Sequence, residues 1–178
     1  SVIKVWSKIL EETTSKLILK SSMNNRDDLR NNFLSKFPKQ LIKNNKITLM
    51  EGQKDKKDHL NLYNKIDVAL DTFPYNGVTT SIEAIWMGVP VLTLQGYNIT
   101  SRCGESINVN CNLKEFIAKD KNDYIQKAID LTKNPDSLCF LKENLREEAS
   151  KTPLFNTKEF TDELSKQLIN LWKKNNTI

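Results

Sequence analysis

Histidine, cysteine and long apolar runs are what this chain of 178 residues has least of. It holds one histidine, His59, and three cysteines, Cys103, Cys111 and Cys139. The cysteines are scattered, odd in number and without CxxC spacing, so a zinc site lacks ligands. No histidine lies near any of them in sequence, so a cysteine nucleophile lacks its base. They read as free thiols of a reducing, cytoplasmic setting. No apolar run approaches the ~20 residues of a membrane span. The first residues, SVIKVWSKILEETTSK, carry charges throughout and no signal-peptide core. Aromatic residues are not interleaved with basic ones as base stacking requires. The net charge of +5 is spread and mixed with acids, as in Lys54-Asp55-Lys56-Lys57-Asp58. The sequence therefore points to neither a membrane nor a nucleic acid as partner.

What is present suits one domain over residues 1–178. Hydrophobic residues make up 38 % and mean hydropathy is −0.53, values that leave room for a real core. Val2 to about Glu12 carries a helical stripe, and Lys16 to Lys20 reads as a strand, followed by a polar loop from Ser21 to Asn25. Asp27 caps a helix bearing Leu29, Phe33 and Phe37, which Pro38 interrupts. Ile47 to Met50 is the second strand, and Asp58 caps a helix bearing His59, Leu62 and Tyr63. Helices and strands alternate without internal repeats, which predicts an α/β fold with a doubly wound parallel sheet. From about Leu113 the pattern predicts an almost wholly helical C-terminus. Its last stripe is Phe160, Leu164, Leu168 and Trp172, a packing face.

The chain is organised around Ile66 to Gly96. Ile66-Asp67-Val68-Ala69-Leu70 is a buried strand by length and composition. Pro74, Asn76 and Gly77 then break periodicity. Thr79 or Thr80 is placed to cap a helix reaching about Trp86, with Glu83 completing a capping box. Gly88 suits the left-handed end of that helix, and Val89 to Leu94 is the next strand. The loop thus sits at the carboxyl end of a strand, where open α/β sheets bind ligands. Two uses stay open on this chemistry. Gly77, the two hydroxyls and the helix N-terminus suit an anion, with Glu83 accepting from sugar hydroxyls. The same residues also suffice merely to turn and cap the chain.

LDTFPYNGVTTSIEAIWMGVPVLTLQG, with Ser101-Arg102 after it, resembles the C-terminal half of the O-GlcNAc transferase and SPINDLY family, including bacterial members linked to tetratricopeptide repeats. His59-Leu60-Asn61-Leu62-Tyr63-Asn64 upstream and Thr152-Pro153-Leu154-Phe155-Asn156 downstream extend the resemblance, as does a last helix ending in Trp172. It implies a Rossmann-like lobe, the C-terminal lobe of a two-lobed GT-B glycosyltransferase that binds UDP-N-acetylglucosamine without a metal or other cofactor. Position by position, it implies that His59 lies against the uracil ring and Lys56 near the ribose, with Lys54 and Lys57 as substitutes. It implies that Thr79 and Thr80 meet the diphosphate and that Glu83 holds the ribose hydroxyls. Gly77 lets the ligand approach.

Two positions depart from the animal pattern: Val78 stands for a phosphate-reaching histidine, and Leu62 for an arginine. The general base, a phosphate-binding lysine, a central strand and the repeats belong, in the family, to segments upstream of Ser1. The resemblance thus implies the donor lobe of an inverting protein O-glycosyltransferase, inactive alone, with a protein acceptor and the N-terminal lobe as partners. Two alternatives share the fold: a UDP-sugar epimerase and a non-catalytic interaction domain.

Overall fold

The computed structural model describes residues 1–21, 26–53 and 55–176. Five short strands lie in two parallel sheets among the described residues. β1 (Leu17–Lys20) pairs with β2 (Ile47–Met50), with Leu17 opposite Ile47. β3 (Ala69–Leu70) pairs with β4 (Val91–Leu94), and β4 with β5 (Ile117–Ala118), giving the order β3-β4-β5. The helices are α1 (Val2–Glu12), α2 (Asp27–Leu34), α3 (Lys39–Lys43), α4 (Lys56–Asn61), α5 (Thr79–Trp86), α6 (Cys103–Asn110), α7 (Lys121–Lys133), α8 (Pro135–Ser150) and α9 (Thr157–Asn176).

The doubly wound class is visible in β4, whose side chains alternate between two cores. Leu92 faces the core built from Val5, Trp6, Ile9 and Leu10 of α1 and Tyr124, Ala128 and Ile129 of α7. Val91 faces the core of Ala84 and Ile85 from α5, Ile107 from α6, and Leu145 and Ala149 from α8. The first core also takes Leu17 from β1 and packs against Ile47 of β2 and Leu70 of β3, so both sheets border it. Burying a side chain such as Ile85, fully enclosed, contributes about 1.5–3 kcal/mol.

Some expectations are corrected. The helix expected from Leu113 begins instead with a 3-10 turn (Lys114–Phe116) and then β5, parallel to β4 with Thr93 opposite Ile117. A two-residue strand leaves no period of its own, and the buried Leu113 and Phe116 around it carry helical spacing. Asn108 to Asn112, which the sequence suggests as a loop or short strand, instead ends α6: Asn108 lies inside the helix, and its fully buried side-chain amide donates to the Val91 carbonyl at 2.8 Å. Asn112, at φ 58°, supplies the left-handed residue after that helix. Asp55, not Asp58, caps α4, accepting from the Lys57 and Asp58 amides. Asp27 opens α2 rather than capping it. The stripe of α9 does not pack on the rest of the described chain: Phe160 is 66 % and Trp172 67 % exposed. The expected polar loop at 22–25 lies outside the described residues.

Candidate nucleotide-sugar site

The segment after β3 is fixed by a carboxylate. Asp71 is 7 % exposed, and its side chain accepts three hydrogen bonds. Gly77 N–H donates to Oδ1 at 2.7 Å, Thr72 N–H to Oδ1 at 2.9 Å, and Thr93 Oγ1–H to Oδ2 at 2.7 Å. Burial pushes the Asp71 carboxyl above its ordinary range, more than these donors pull it down. Asn76, fully buried, closes the loop from inside by donating to the Thr72 carbonyl at 2.9 Å and accepting from Gly104 N–H at 3.3 Å. Gly77 is required by space: a Cβ there would lie 2.6 Å from Thr80 Oγ1 and 2.9 Å from Ser81 Oγ. The polypeptide is thereby held so that α5 starts beside the loop.

The capping box expected at α5 does not form. Val78 occupies the N-cap position, and no side chain caps the helix. Thr79 and Thr80 are its first two helical residues, both exposed, so their hydroxyls are not used as caps. Among the described residues the N–H groups of Thr79, Thr80 and Ser81 have no acceptor. They are the unpaired first-turn donors that make a helix start attractive to anions. Gly88, at φ 78°, ends the element as expected.

Glu83 is two residues too deep in the helix to reach the N-cap and turns elsewhere. His59 Nε2 lies 3.0 Å from its Oε2, and both side chains are about three-quarters enclosed. The His59 Nδ1 meets Lys20 Nζ, from the end of β1. Tyr63 stands edge-on to the His59 ring, with centroids 5.8 Å apart, and its hydroxyl donates to the Thr80 carbonyl at 3.2 Å. Burial, and then the Glu83 charge, push the Tyr63 phenol up to about 12. His59, Glu83, Thr80 and Gly77 are thus brought together. Lys56 and Lys57 open α4 on its exposed side and make no bond to the pair, and Lys54 lies outside the described residues.

Sequence reading missed Asp71, Lys20 and Tyr63. Asp71 had a signal, an acid at the end of an apolar strand and six residues before the loop glycine. Lys20 had none. On the other flank of the α5 start lies an open groove of about 650 Å³, walled by Val78, Ile82, Tyr97, Ile99, Arg102 and Leu154 among others. Phe155 tilts over Trp86 of α5 at 5.2 Å, and Arg146 lies 4.5 Å from that ring's centre. The downstream motif therefore braces the helix that carries Glu83. Among the described residues no three acidic, cysteine or histidine side chains gather to hold a metal ion, and no helix is long and apolar enough to cross a membrane.

Comparison with known proteins bears on the family and the fold. Residues 1–164 match the family described as Glycosyl transferase family 41. A probable UDP-N-acetylglucosamine–peptide N-acetylglucosaminyltransferase SPINDLY from Solanum lycopersicum is 33 % identical over 97 % of this chain and 19 % of its own length. The corresponding N-acetylglucosaminyltransferase of Caenorhabditis elegans is 24 % identical over 98 % of this chain and 15 % of its own. A mutant of the O-GlcNAc transferase of Thermobaculum terrenum superposes with a TM-score of 0.85 at 30 % identity, covering 97 % of this chain and 33 % of that one. The chain therefore spans about a fifth of the curated relatives it matches. With a Rossmann-like parallel fold and a family match over most of its length, the chain belongs to glycosyl transferase family 41.

Proposed function

We propose that this chain is the donor-binding lobe of a protein O-glycosyltransferase that uses a UDP-sugar, UDP-N-acetylglucosamine in the first instance. The observation that carries the reading is the juxtaposition of the uncapped α5 start with the His59–Glu83 pair. The unpaired N–H groups and the Thr79 and Thr80 hydroxyls suit a diphosphate. Glu83 suits the vicinal hydroxyls of a ribose, and His59 the face of a uracil. In such a reaction an acceptor serine or threonine hydroxyl attacks the anomeric carbon, the C–O bond to UDP breaks, and configuration inverts. The lobe's part is electrostatic. Fixed donors at α5 stabilise negative charge growing on the leaving diphosphate, the work that a metal performs in other transferases. Lys56, which opens α4 three residues before His59, is assigned to the ribose, and Val78 contributes no phosphate donor.

Transfer requires a general base and an acceptor site from a second lobe, so this polypeptide alone binds UDP and transfers no sugar. The test is calorimetric titration of UDP into this chain, with Glu83→Ala and His59→Ala beside it. Binding that weakens in both variants supports the reading; wild-type affinity in both variants overturns it. Metal-free glycosylation of a peptide by this chain overturns the division of labour. A non-catalytic interaction domain is the second reading, favoured by Val78 and Leu62 and by the uncovered stripe of α9. It predicts no UDP binding at all.

A further inference from the structure

Three segments that follow three different strands meet in one line of side chains. Lys20 ends β1, His59 lies in α4 after β2, and Glu83 lies in α5 after β3. Lys20 Nζ contacts His59 Nδ1, and His59 Nε2 lies 3.0 Å from Glu83 Oε2. Only one assignment of hydrogens fits. A lysine ammonium donates and never accepts, so Nδ1 is the acceptor. An ionised carboxylate only accepts, so Nε2 carries the hydrogen. β1 and β3 belong to different sheets, so this line ties the two sheets together at their carboxyl ends. Its far end is open, because Glu83 Oε1 has no hydrogen-bond partner among the described residues.

We propose that Lys20 is a positioning residue of the nucleotide site: it locks His59 as the Nε2–H tautomer, so that His59 holds one oxygen of Glu83 and leaves the other to accept a hydroxyl of a nucleoside diphosphate. Partners on both nitrogens fix tautomer and ring rotation together. With Nδ1 unoccupied, Glu83 can accept equally from Nε2–H or, after a ring flip, from Nδ1–H, so tautomer and ring rotation are no longer fixed together and the carboxylate loses its single orientation. A held carboxylate meets a ribose without reorganising, which is where the affinity arises. The ligand part rests on the donor-lobe reading above. The tautomer part rests on the three side chains alone.

The chain's single histidine makes the test direct, since every imidazole nitrogen signal belongs to His59. Nitrogen-15 NMR of the ligand-free protein at pH 8, on wild type, Lys20→Met and Lys20→Arg, reads the tautomer, and UDP titration of the same samples reads affinity. Wild type is expected to show hydrogen on Nε2 and a hydrogen-bonded, unprotonated Nδ1. Lys20→Met is expected to lose that single pattern and to bind UDP about 3- to 10-fold more weakly, the scale of one hydrogen bond. Lys20→Arg restores both, because a guanidinium also only donates. Hydrogen on Nδ1 in wild type, or an unchanged spectrum in Lys20→Met, overturns the tautomer lock. The expected spectra with no UDP binding by wild type overturn the donor-lobe reading and the ligand part with it. UDP binding that Lys20→Met leaves unaltered overturns the positioning role.

Discussion

Replacing Asp71 by alanine or asparagine separates its hydrogen bonds from its charge. Alanine strands three donors at once: the Gly77 and Thr72 amides and the Thr93 hydroxyl. Thr72 is exposed and regains water, Gly77 is half-buried, and Thr93 is fully enclosed. A buried donor left unpaired costs about 1–3 kcal/mol. Counting Thr93 in full and Gly77 in part, and crediting relief of the carboxylate's own desolvation, Asp71→Ala loses about 3 kcal/mol. Asparagine keeps an oxygen for both amides, and its NH₂ faces a Thr93 hydroxyl that can rotate to accept. Asp71→Asn therefore stays within about 1 kcal/mol of wild type at neutral pH. Burial raises the Asp71 carboxyl above its ordinary 3.8, so the folded chain binds that proton more tightly than the unfolded chain. The sign follows from linkage: this stabilisation is complete below 3.8 and is lost as pH rises through the folded value. Wild type should gain on Asp71→Asn as pH falls toward 3.8. Urea titration of the three proteins at neutral and acid pH measures all of this. Equal costs for alanine and asparagine at neutral pH would refute the hydrogen-bond account, as would an alanine cost under about 1 kcal/mol.

Gly104→Ala places a Cβ 2.1 Å from Thr93 Oγ1 and 2.5 Å from Asp71 Oδ2 in the same buried cluster, and should cost about 3 kcal/mol in urea unfolding. Gly77→Ala places a Cβ 2.6 Å from Thr80 Oγ1 and 2.9 Å from Ser81 Oγ, so it should cost about 1–3 kcal/mol in urea unfolding and weaken UDP binding as the α5 start shifts. Tyr63, pushed to about 12 by burial and Glu83, contributes stability that is present below 10.0 and lost between 10.0 and 12. Ultraviolet titration should show that late phenol moving down in Glu83→Gln. Phe155→Ala removes the ring over Trp86 and should lower the thermal midpoint by a loss of about 3 kcal/mol or less, since Phe155 is only partly buried.

The parts of this fold that a sequence shows are those whose cause is local. β1, β2 and β4 are apolar runs bounded by polar or loop residues, and Gly88 marks the helix end through its own backbone. β5 is a strand because Thr93 and Leu94 lie beside it, and nothing within Ile117–Ala118 says so. The Thr80–Glu83 spacing shows how a local rule misleads. A capping box needs its threonine at the N-cap, yet the N-cap is Val78, two residues before Thr80, and Glu83 is drawn to a histidine 24 residues away. The site divides along the same line. Family resemblance, which carries three-dimensional information that periodicity lacks, singled out His59, Gly77, Thr79, Thr80 and Glu83, and the fold brings His59, Gly77, Thr80 and Glu83 together. Asp71 reads locally as one more strand-end acid until Gly77 and Thr93 are seen to converge on it. Lys20 is one of 27 basic residues, and only the arrival of α4 beside the end of β1 distinguishes it. The candidate ligand-facing residues were thus singled out by resemblance, whereas Asp71 and Lys20 act across strand ends far apart in sequence and show only in the folded chain.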